Sequence, residues 1–177
     1  MTCTLKKELV EKTIAFHGHN CPGLAIGIRA SELAMEKLAI HHAENPVCVA
    51  ETDMCGVDAI QFLTGCSFGK GNLIHKDYGK SAFTFYDRDA KKGFRAVFND
   101  FARGETNRAN RIKQILQAEL TDLFTTQGVD VPPVSPARIL KSIPCDSCHE
   151  MTMESRIRLF DGKKLCIPCF QTVEQKI

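Results

Sequence analysis

The chain has 177 residues, of which 44% are hydrophobic and 25% charged, and its net charge is +2. This composition is that of a globular protein with room for one ordinary domain and a small module. It argues against a membrane protein, because no apolar run approaches the ~20 residues of a membrane-spanning helix. Charges scattered through the first 20 residues do not form a signal peptide. We therefore expect a cytoplasmic protein, in which nine cysteines indicate metal or redox chemistry rather than disulfides.

Two helices are predicted within the first 40 residues. Apolar residues recur near helical spacing in residues 5–16, and residues 24–40 are rich in Ala, Leu, Ile and Glu. Pro22 suits the first turn of the second helix, where no backbone N–H is needed. Further along the chain, residues 47–52 form a predicted strand and residues 57–63 a short helix.

A candidate site is formed by His17, His19 and Cys21, together with Cys55 after the predicted strand. Cys21 precedes the second helix, whose partial positive charge favours a thiolate at that end. Thiolates and imidazoles suit zinc or another late transition metal, and two or three protein ligands leave an open coordination position. Three interpretations are open: a metal site, a redox or nucleophilic cysteine without metal, and buried cysteines beside helix-end histidines.

Residues 65–73, GCSFGKGNL, form a glycine-rich loop in which Lys70 and Asn72 are the candidate substrate-binding residues. The pattern departs from the nucleotide-binding sequence GxxxxGK[ST], because Gly71 follows the lysine. Backbone N–H groups and Lys70 can hold an anion such as a carboxylate or phosphate. The alternative is a tight loop packed under the cysteine/histidine site. Residues 65–80 are predicted to be mostly loop.

The rest of the first domain is predicted to contain a β-hairpin and a long helix. Residues 82–86 and 94–98 alternate as strands, and residues 107–125 carry apolar side chains at helical spacing. Residues 88–113 hold eight Lys or Arg against three Asp or Glu, which is typical of a solvated face. A surface for nucleic acid or an anionic ligand is the alternative. Because the whole chain carries only +2, nucleic acid is not an expected partner.

A proline-rich stretch, residues 128–137, predicts a stiff linker between a domain at 1–127 and a module at 138–177. The module contains two CxxC pairs, Cys145 with Cys148 and Cys166 with Cys169. Their spacing is that of a structural zinc ribbon, in which four thiolates complete a tetrahedral site. An iron site is the alternative. The Asp-Gly pair between two short apolar runs predicts a hairpin, and about 40 residues need the metal in order to fold. His149 is predicted to be a bystander.

Four motifs in the first domain point to a known family. They are Phe16-His-Gly-His-Asn-Cys-Pro-Gly-Leu24, Cys55-Gly-Val-Asp-Ala-Ile-Gln61, Gly65-Cys-Ser-Phe-Gly-Lys-Gly-Asn-Leu73, and Asp77-Tyr-Gly-Lys80 with Phe83-Thr-Phe-Tyr-Asp-Arg88. Together they resemble the formylmethanofuran dehydrogenase E-subunit family, and the resemblance covers roughly residues 10–125 in order. The C-terminal module resembles the DksA/TraR-type zinc finger that some members carry.

The resemblance implies an α+β fold, a mixed sheet with flanking helices followed by the small zinc ribbon. It also implies a homodimer and an association with molybdenum- or tungsten-dependent formylmethanofuran dehydrogenase, an enzyme of one-carbon metabolism. Carried over residue by residue, the family's site falls on His17, His19, Cys21, Cys55 and Lys70.

The leading hypothesis is a metal-binding protein of this family with one structural zinc in the ribbon. We predict that His19, Cys21 and Cys55 bind a second transition metal, expected to be zinc, and that His17 acts with them in catalysis. The protein is then either an accessory partner of a molybdenum or tungsten oxidoreductase or a metal-dependent enzyme for a small anionic substrate. The alternative is a regulator whose ribbon binds nucleic acid or a protein partner.

Overall fold

The computed structural model describes residues 3–40, 45–130, 135 and 138–173. The chain divides into two units, Met1–Ala137 and Arg138–Ile177. The first two residues of the predicted linker belong to the last strand of the larger unit, and most of the remaining linker lies outside the described residues. No helix of the described residues is long and apolar enough to cross a bilayer.

A mixed sheet forms the framework of the larger unit. Its strands are β1 (Pro46–Ala50), β2 (Leu73–His75), β3 (Ala82–Asp87), β4 (Lys92–Phe98) and β5 (Phe124–Val129). They lie in the order β2-β1-β3-β4-β5. β1 and β2 are parallel, whereas the other neighbours are antiparallel, and β3 with β4 forms the predicted hairpin. The sheet and its flanking helices confirm the α+β class with a mixed sheet.

The helices described in this unit are α1 (Lys7–His17), α2 (Pro22–Leu38), α3 (Gly56–Thr64), α4 (Arg108–Gln117) and α5 (Leu120–Leu123). α2 is the most buried, because its Ala-rich sequence leaves few long polar side chains to solvate. Its Leu33 shares one apolar core with Phe83 and Phe85 of β3 and with Ile115 of α4. Burial of this apolar surface is the main force that holds the helices on the sheet.

Glycines bring α2 and α3 into backbone contact. A Cβ atom placed on Gly27 would overlap the carbonyl group of Gly56, and one placed on Gly56 would lie 2.9 Å from the carbonyl oxygen of Gly23. The helices can therefore approach this closely only without side chains at the crossing. The crossing also sets the position of Cys55, the residue that precedes α3.

The predicted helix at 107–125 is wrong over its second half. α4 ends at Gln117, and residues from Phe124 onward pair with β4 as an edge strand. Arg29 is a physical reason for the early end, because its guanidinium donates to the carbonyls of Leu116 (3.5 Å) and Ala118 (2.6 Å). Carbonyl groups at the end of a helix need such partners. Helical spacing of apolar residues continues past this point, so periodicity alone overextended the helix.

Arg29 also forms a buried ion pair with Glu32, with 2.9 Å between Nη1 and Oε2. The other oxygen of Glu32, Oε1, accepts hydrogen bonds from the backbone N–H and the hydroxyl of Thr4. The pair thus joins α2 to the segment before α1 and to the end of α4.

The strand β2 lies within residues 65–80, which the sequence indicated to be mostly loop. With three residues it is too short to show a period of two. Its position comes from parallel pairing with β1, in which Cys48 faces Leu73 and Ala50 faces His75.

Glu51, directly after β1, forms a two-point ion pair with Arg95 on β4, at 2.6 and 2.8 Å. The hydrogen bonds from Arg95 lower the pKa of the Glu51 carboxyl from its ordinary value. This stabilisation is therefore present at neutral pH and is lost as the pH falls through the folded-state pKa. We expect Glu51→Gln to reduce the free energy of unfolding by about 1 kcal/mol at pH 7 and by almost nothing near pH 3.

Denaturant unfolding of both proteins at the two pH values tests this expectation. Glu36→Gln is the matched control, because Glu36 is exposed and forms no ion pair with the described residues. A Glu51→Gln loss that is equal at both pH values would contradict the assignment.

The smaller unit consists of short strands and one helix around a small core. Its elements are β6 (Ser142–Pro144), β7 (Met151–Met153), a 3-10 turn (Glu154–Arg156), β8 (Ile157–Phe160), β9 (Lys163–Cys166) and α6 (Ile167–Thr172). β8 and β9 form the predicted hairpin, and both turn residues, Asp161 and Gly162, have positive φ angles (47° and 72°). Such angles favour an Asp-Gly pair.

Candidate metal centre

The ends of three helices bring His17, His19, Cys21 and Cys55 together. Their ligand atoms all lie within 4.8 Å of one another. α1 ends at His17, and Gly18 turns the chain with a φ of 89°, a conformation that glycine adopts without strain. Cys21 is the N-cap of α2, where its sulfur accepts the N–H of Leu24 at 3.3 Å. The predicted convergence of the two thiols and the histidines is thus present in the structure.

The spacing of these ligand atoms fits a single metal ion. The Sγ of Cys21 lies 4.0 Å from Nε2 of His17. A tetrahedral zinc with ordinary Zn–S and Zn–N bonds would place such atoms about 3.6 Å apart, so a small contraction suffices. The rings of His17 and His19 are also close, with 4.4 Å between their centroids.

Asp58 orients His17 from the side away from the cysteines. Its Oδ2 lies 2.7 Å from Nδ1 of His17, which leaves Nε2 as the nitrogen that faces Cys21. A carboxylate on the second nitrogen is the usual support of a metal-ligating histidine. Sequence reasoning assigned no role to Asp58, although its i+3 spacing from Cys55 places both on one side of α3.

The cysteines of this cluster are crowded together. Burial, followed by hydrogen bonding and charge from Cys21, raises the pKa of the Cys55 thiol. Gly23 makes room for the pair, because a Cβ there would lie 3.3 Å from the Cβ of Cys55 and 4.0 Å from both sulfurs. Two neighbouring thiols resist joint ionisation unless a cation balances their charge, so this donor set suits a metal.

Lys70 and Asn72 make hydrogen bonds within their own loop. The Nζ of Lys70 donates to the carbonyl of Gly65 at 2.9 Å. The side chain of Asn72 accepts the N–H of Ser67 at 2.8 Å and donates to the carbonyl of Pro46 at 3.0 Å. These bonds fix the loop against the end of α3 and the start of β1. Substrate binding by the two residues stays a prediction.

The four cysteines of the smaller unit form a second cluster, again with all ligand atoms within 4.8 Å of one another. The sulfurs of Cys148 and Cys166 are 3.8 Å apart. Four thiolates around a tetrahedral zinc have the same separation, about 3.8 Å. His149 is not part of this cluster.

Charge in the second cluster also calls for a cation. The backbone N–H groups of Cys166 and Cys148 lower the pKa of Cys145 to about 6. The N–H of Glu150 lowers that of Cys148, but burial and the neighbouring cysteines outweigh it and raise the pKa of Cys148 to about 12. One thiolate is thus stabilised by the backbone, whereas all four need a metal to ionise together.

Both units match families of known proteins. Residues 16–126 match the family described as FmdE, molybdenum formylmethanofuran dehydrogenase operon. Residues 138–175 match the prokaryotic dksA/traR C4-type zinc finger.

Two individual proteins are similar over most of the chain. A crystal structure of an FmdE-like protein of tungsten formylmethanofuran dehydrogenase, from Syntrophus aciditrophicus, has a TM-score of 0.71 and 25% identity, covering 93% of this chain and 91% of that one. A protein of Archaeoglobus fulgidus named "Probable S-adenosyl-L-methionine-binding protein" is 30% identical over 92% of this chain. This chain spans about half (52%) of that relative's length.

Proposed function

This chain belongs to the FmdE family of the molybdenum formylmethanofuran dehydrogenase operon, and from that premise we propose that it is a two-zinc protein that serves one-carbon metabolism. Its zinc finger and its second cysteine/histidine cluster make it a metal-binding protein. The observation that carries the proposal is the convergence of His17, His19, Cys21 and Cys55 within 4.8 Å.

The two zinc ions have different tasks in this proposal. Cys145, Cys148, Cys166 and Cys169 supply four sulfurs and leave no open position, which is the pattern of a structural ion. The first cluster is less closed, because His17 and Cys21 are largely buried while His19 is exposed. His19 is therefore the ligand that is easiest to displace.

A zinc ion with an exchangeable position supplies Lewis acidity toward a carbonyl group or a water molecule. The side chains around it have matching tasks. Asp58 holds His17 in one orientation at 2.7 Å, the thiolates of Cys21 and Cys55 fix the ion, and His19, when displaced, is placed to accept a proton. In the accessory form of the proposal, the same exposed histidine lets the thiolates receive or release the metal.

The resemblances to an FmdE-like protein of tungsten formylmethanofuran dehydrogenase and to the molybdenum operon family support an oxidoreductase as the partner. We include in the proposal a cytoplasmic homodimer that either assists such an enzyme or acts on a small substrate of one-carbon metabolism. Lys70 and Asn72 remain the proposed contacts for a substrate anion.

Zinc analysis of the full chain tests the proposal. We expect two zinc ions per chain in the wild type and one in Cys21→Ser, because the first cluster loses a central sulfur while the ribbon is unchanged. Cys3→Ser is the matched control, since Cys3 belongs to neither cluster and should leave two ions.

His19→Ala separates the exchangeable ligand from the fixed ones. We expect it to keep two zinc ions but to release one of them to a chelator at least about tenfold faster than the wild type. A wild type that holds only the ribbon zinc, or a Cys21→Ser variant that still holds two ions, would contradict the proposed centre.

A further inference from the structure

A cavity of about 280 Å³ lies at the carboxyl ends of the parallel strands β1 and β2, beside α3. The side chains that matter for its chemistry are Thr52, Asp53, Asp58, Gln61, Phe68 and His75. Crevices at the carboxyl ends of parallel strands are a common place for ligands in α/β structures. The volume equals that of about nine water molecules, at the small end of ligand sites.

The cavity adjoins the first metal cluster through one shared side chain. Asp58 lines the cavity and also contacts Nδ1 of His17 at 2.7 Å. The cavity lies on the outer side of this carboxyl group, where Gln61 donates weakly to Oδ1 at 3.4 Å. A molecule in the cavity therefore contacts the residue that orients a proposed metal ligand.

Unused polar groups face this space. Asp53 and His75 form no side-chain hydrogen bond or ion pair with the described residues. Thr52 is only 8% exposed, and its hydroxyl accepts the N–H of Met54 but keeps its own proton to donate. A buried hydroxyl that donates to nothing is costly without a partner, so a ligand or water is expected to accept from it.

The charge of the lining selects the kind of ligand. Two carboxyl groups, Asp53 and Asp58, line the cavity, and no lysine or arginine does among the residues that the structure describes. The nearby lysines point to other groups: Lys70 donates to the carbonyl of Gly65, and Nζ of Lys76 lies 5.9 Å from the centre of the Tyr78 ring. Phe68 adds an aromatic ring, a group that attracts organic cations.

We propose that this cavity binds a small organic cation, such as an ammonium or sulfonium group with a short apolar body, next to the first metal centre. As the substrate pocket of that centre it rests on the proposed function, whereas binding itself does not. The apolar floor, which includes Leu73 and Val57, holds the body of the ligand. Asp53 at the mouth supplies the charge that discriminates between a cation and an anion.

Three compact probes of similar shape and different charge test the proposal: tetramethylammonium, tert-butanol and pivalate. Tetramethylammonium has no lone pair for a metal, so its effect reports the cavity alone. We expect it to shift the amide NMR signals of Thr52, Gln61 and His75 in the full chain, and pivalate and tert-butanol to bind at least about fivefold more weakly.

Asp53→Asn should weaken tetramethylammonium binding by about fivefold and leave both zinc ions in place. Asp77→Asn is the matched control, because Asp77 is also exposed but does not line the cavity. Pivalate that binds as tightly as the cation, no binding of any probe, or equal weakening in both variants would overturn the inference.

Zinc analysis of the same samples separates this inference from the proposed function. If the first cluster holds zinc and no cation binds, the inference fails and the proposed function stands. If the cation binds to a protein without zinc in that cluster, the cavity assignment stands and the proposed function fails.

Discussion

Replacing Cys145 by serine is expected to unfold the whole C-terminal ribbon while the larger unit stays folded. The buried hydrophobic residues described in the ribbon are Cys145, Leu165 and Cys166, two of which are metal ligands. A module of about 40 residues with so small a core cannot offset its conformational entropy. Zinc binding to such sites supplies about 10–16 kcal/mol, so the loss of one ligand removes most of the folding free energy.

Amide NMR spectra and zinc analysis of the full chain measure this outcome. Signals of residues 138–173 should collapse to random-coil positions, those of the larger unit should persist, and one zinc ion per chain should remain. His149→Ala is the matched control, because His149 lies beside Cys148 without belonging to the cluster. A dispersed ribbon spectrum in Cys145→Ser, or zinc loss in His149→Ala, would argue against the four-sulfur assignment.

Adding one methyl group at Gly27 is expected to damage the first metal centre from a distance. Alanine improves helix propensity by about 1 kcal/mol relative to glycine, but the new Cβ at position 27 would overlap backbone atoms of Gly56. Backbone cannot rotate away as a flexible side chain can, so α2 and α3 must separate. We expect a net loss of about 2 kcal/mol or more in the free energy of unfolding.

The separation also moves Cys55, which directly precedes Gly56, away from Cys21. Zinc analysis of Gly27→Ala should therefore show weakened binding at the first cluster and an intact ribbon site. Gly104→Ala is the control, since a Cβ at Gly104 meets nothing within 4 Å and its φ is not in the left-handed region. A Gly27→Ala protein as stable as the wild type, with unchanged zinc affinity, would contradict the close crossing.

The parts of the fold that sequence predicted well are those with local causes. The hairpin of the ribbon follows from its Asp-Gly turn, and the metal clusters follow from ligand spacing around Cys21 and Cys145. The end of α4 could not be predicted, because Arg29, 87 residues earlier than Leu116, binds its last carbonyls. Likewise β2 depends on pairing with β1, a contact that its three residues do not encode alone.

Asp58 and the cavity show the same limit for the site. The motif around Cys55 contains Asp58, but its contact with His17 spans 41 positions and depends on how α1 meets α3. The cavity needs the ends of two strands, one helix and a loop, so it exists only after the chain has folded. Sequence patterns identify donors well, whereas they identify the supports and the empty space poorly.

The ion pair of Arg29 and Glu32 links fraying at two distant places. Through Glu32 the pair anchors Thr4 near the N-terminus, and through its guanidinium it anchors the carbonyls at the end of α4. Detachment of either segment exposes the same pair to water and removes part of the other segment's anchor. Slow amide exchange at the start of the chain and at the turn after α4 is thus governed by one shared opening event.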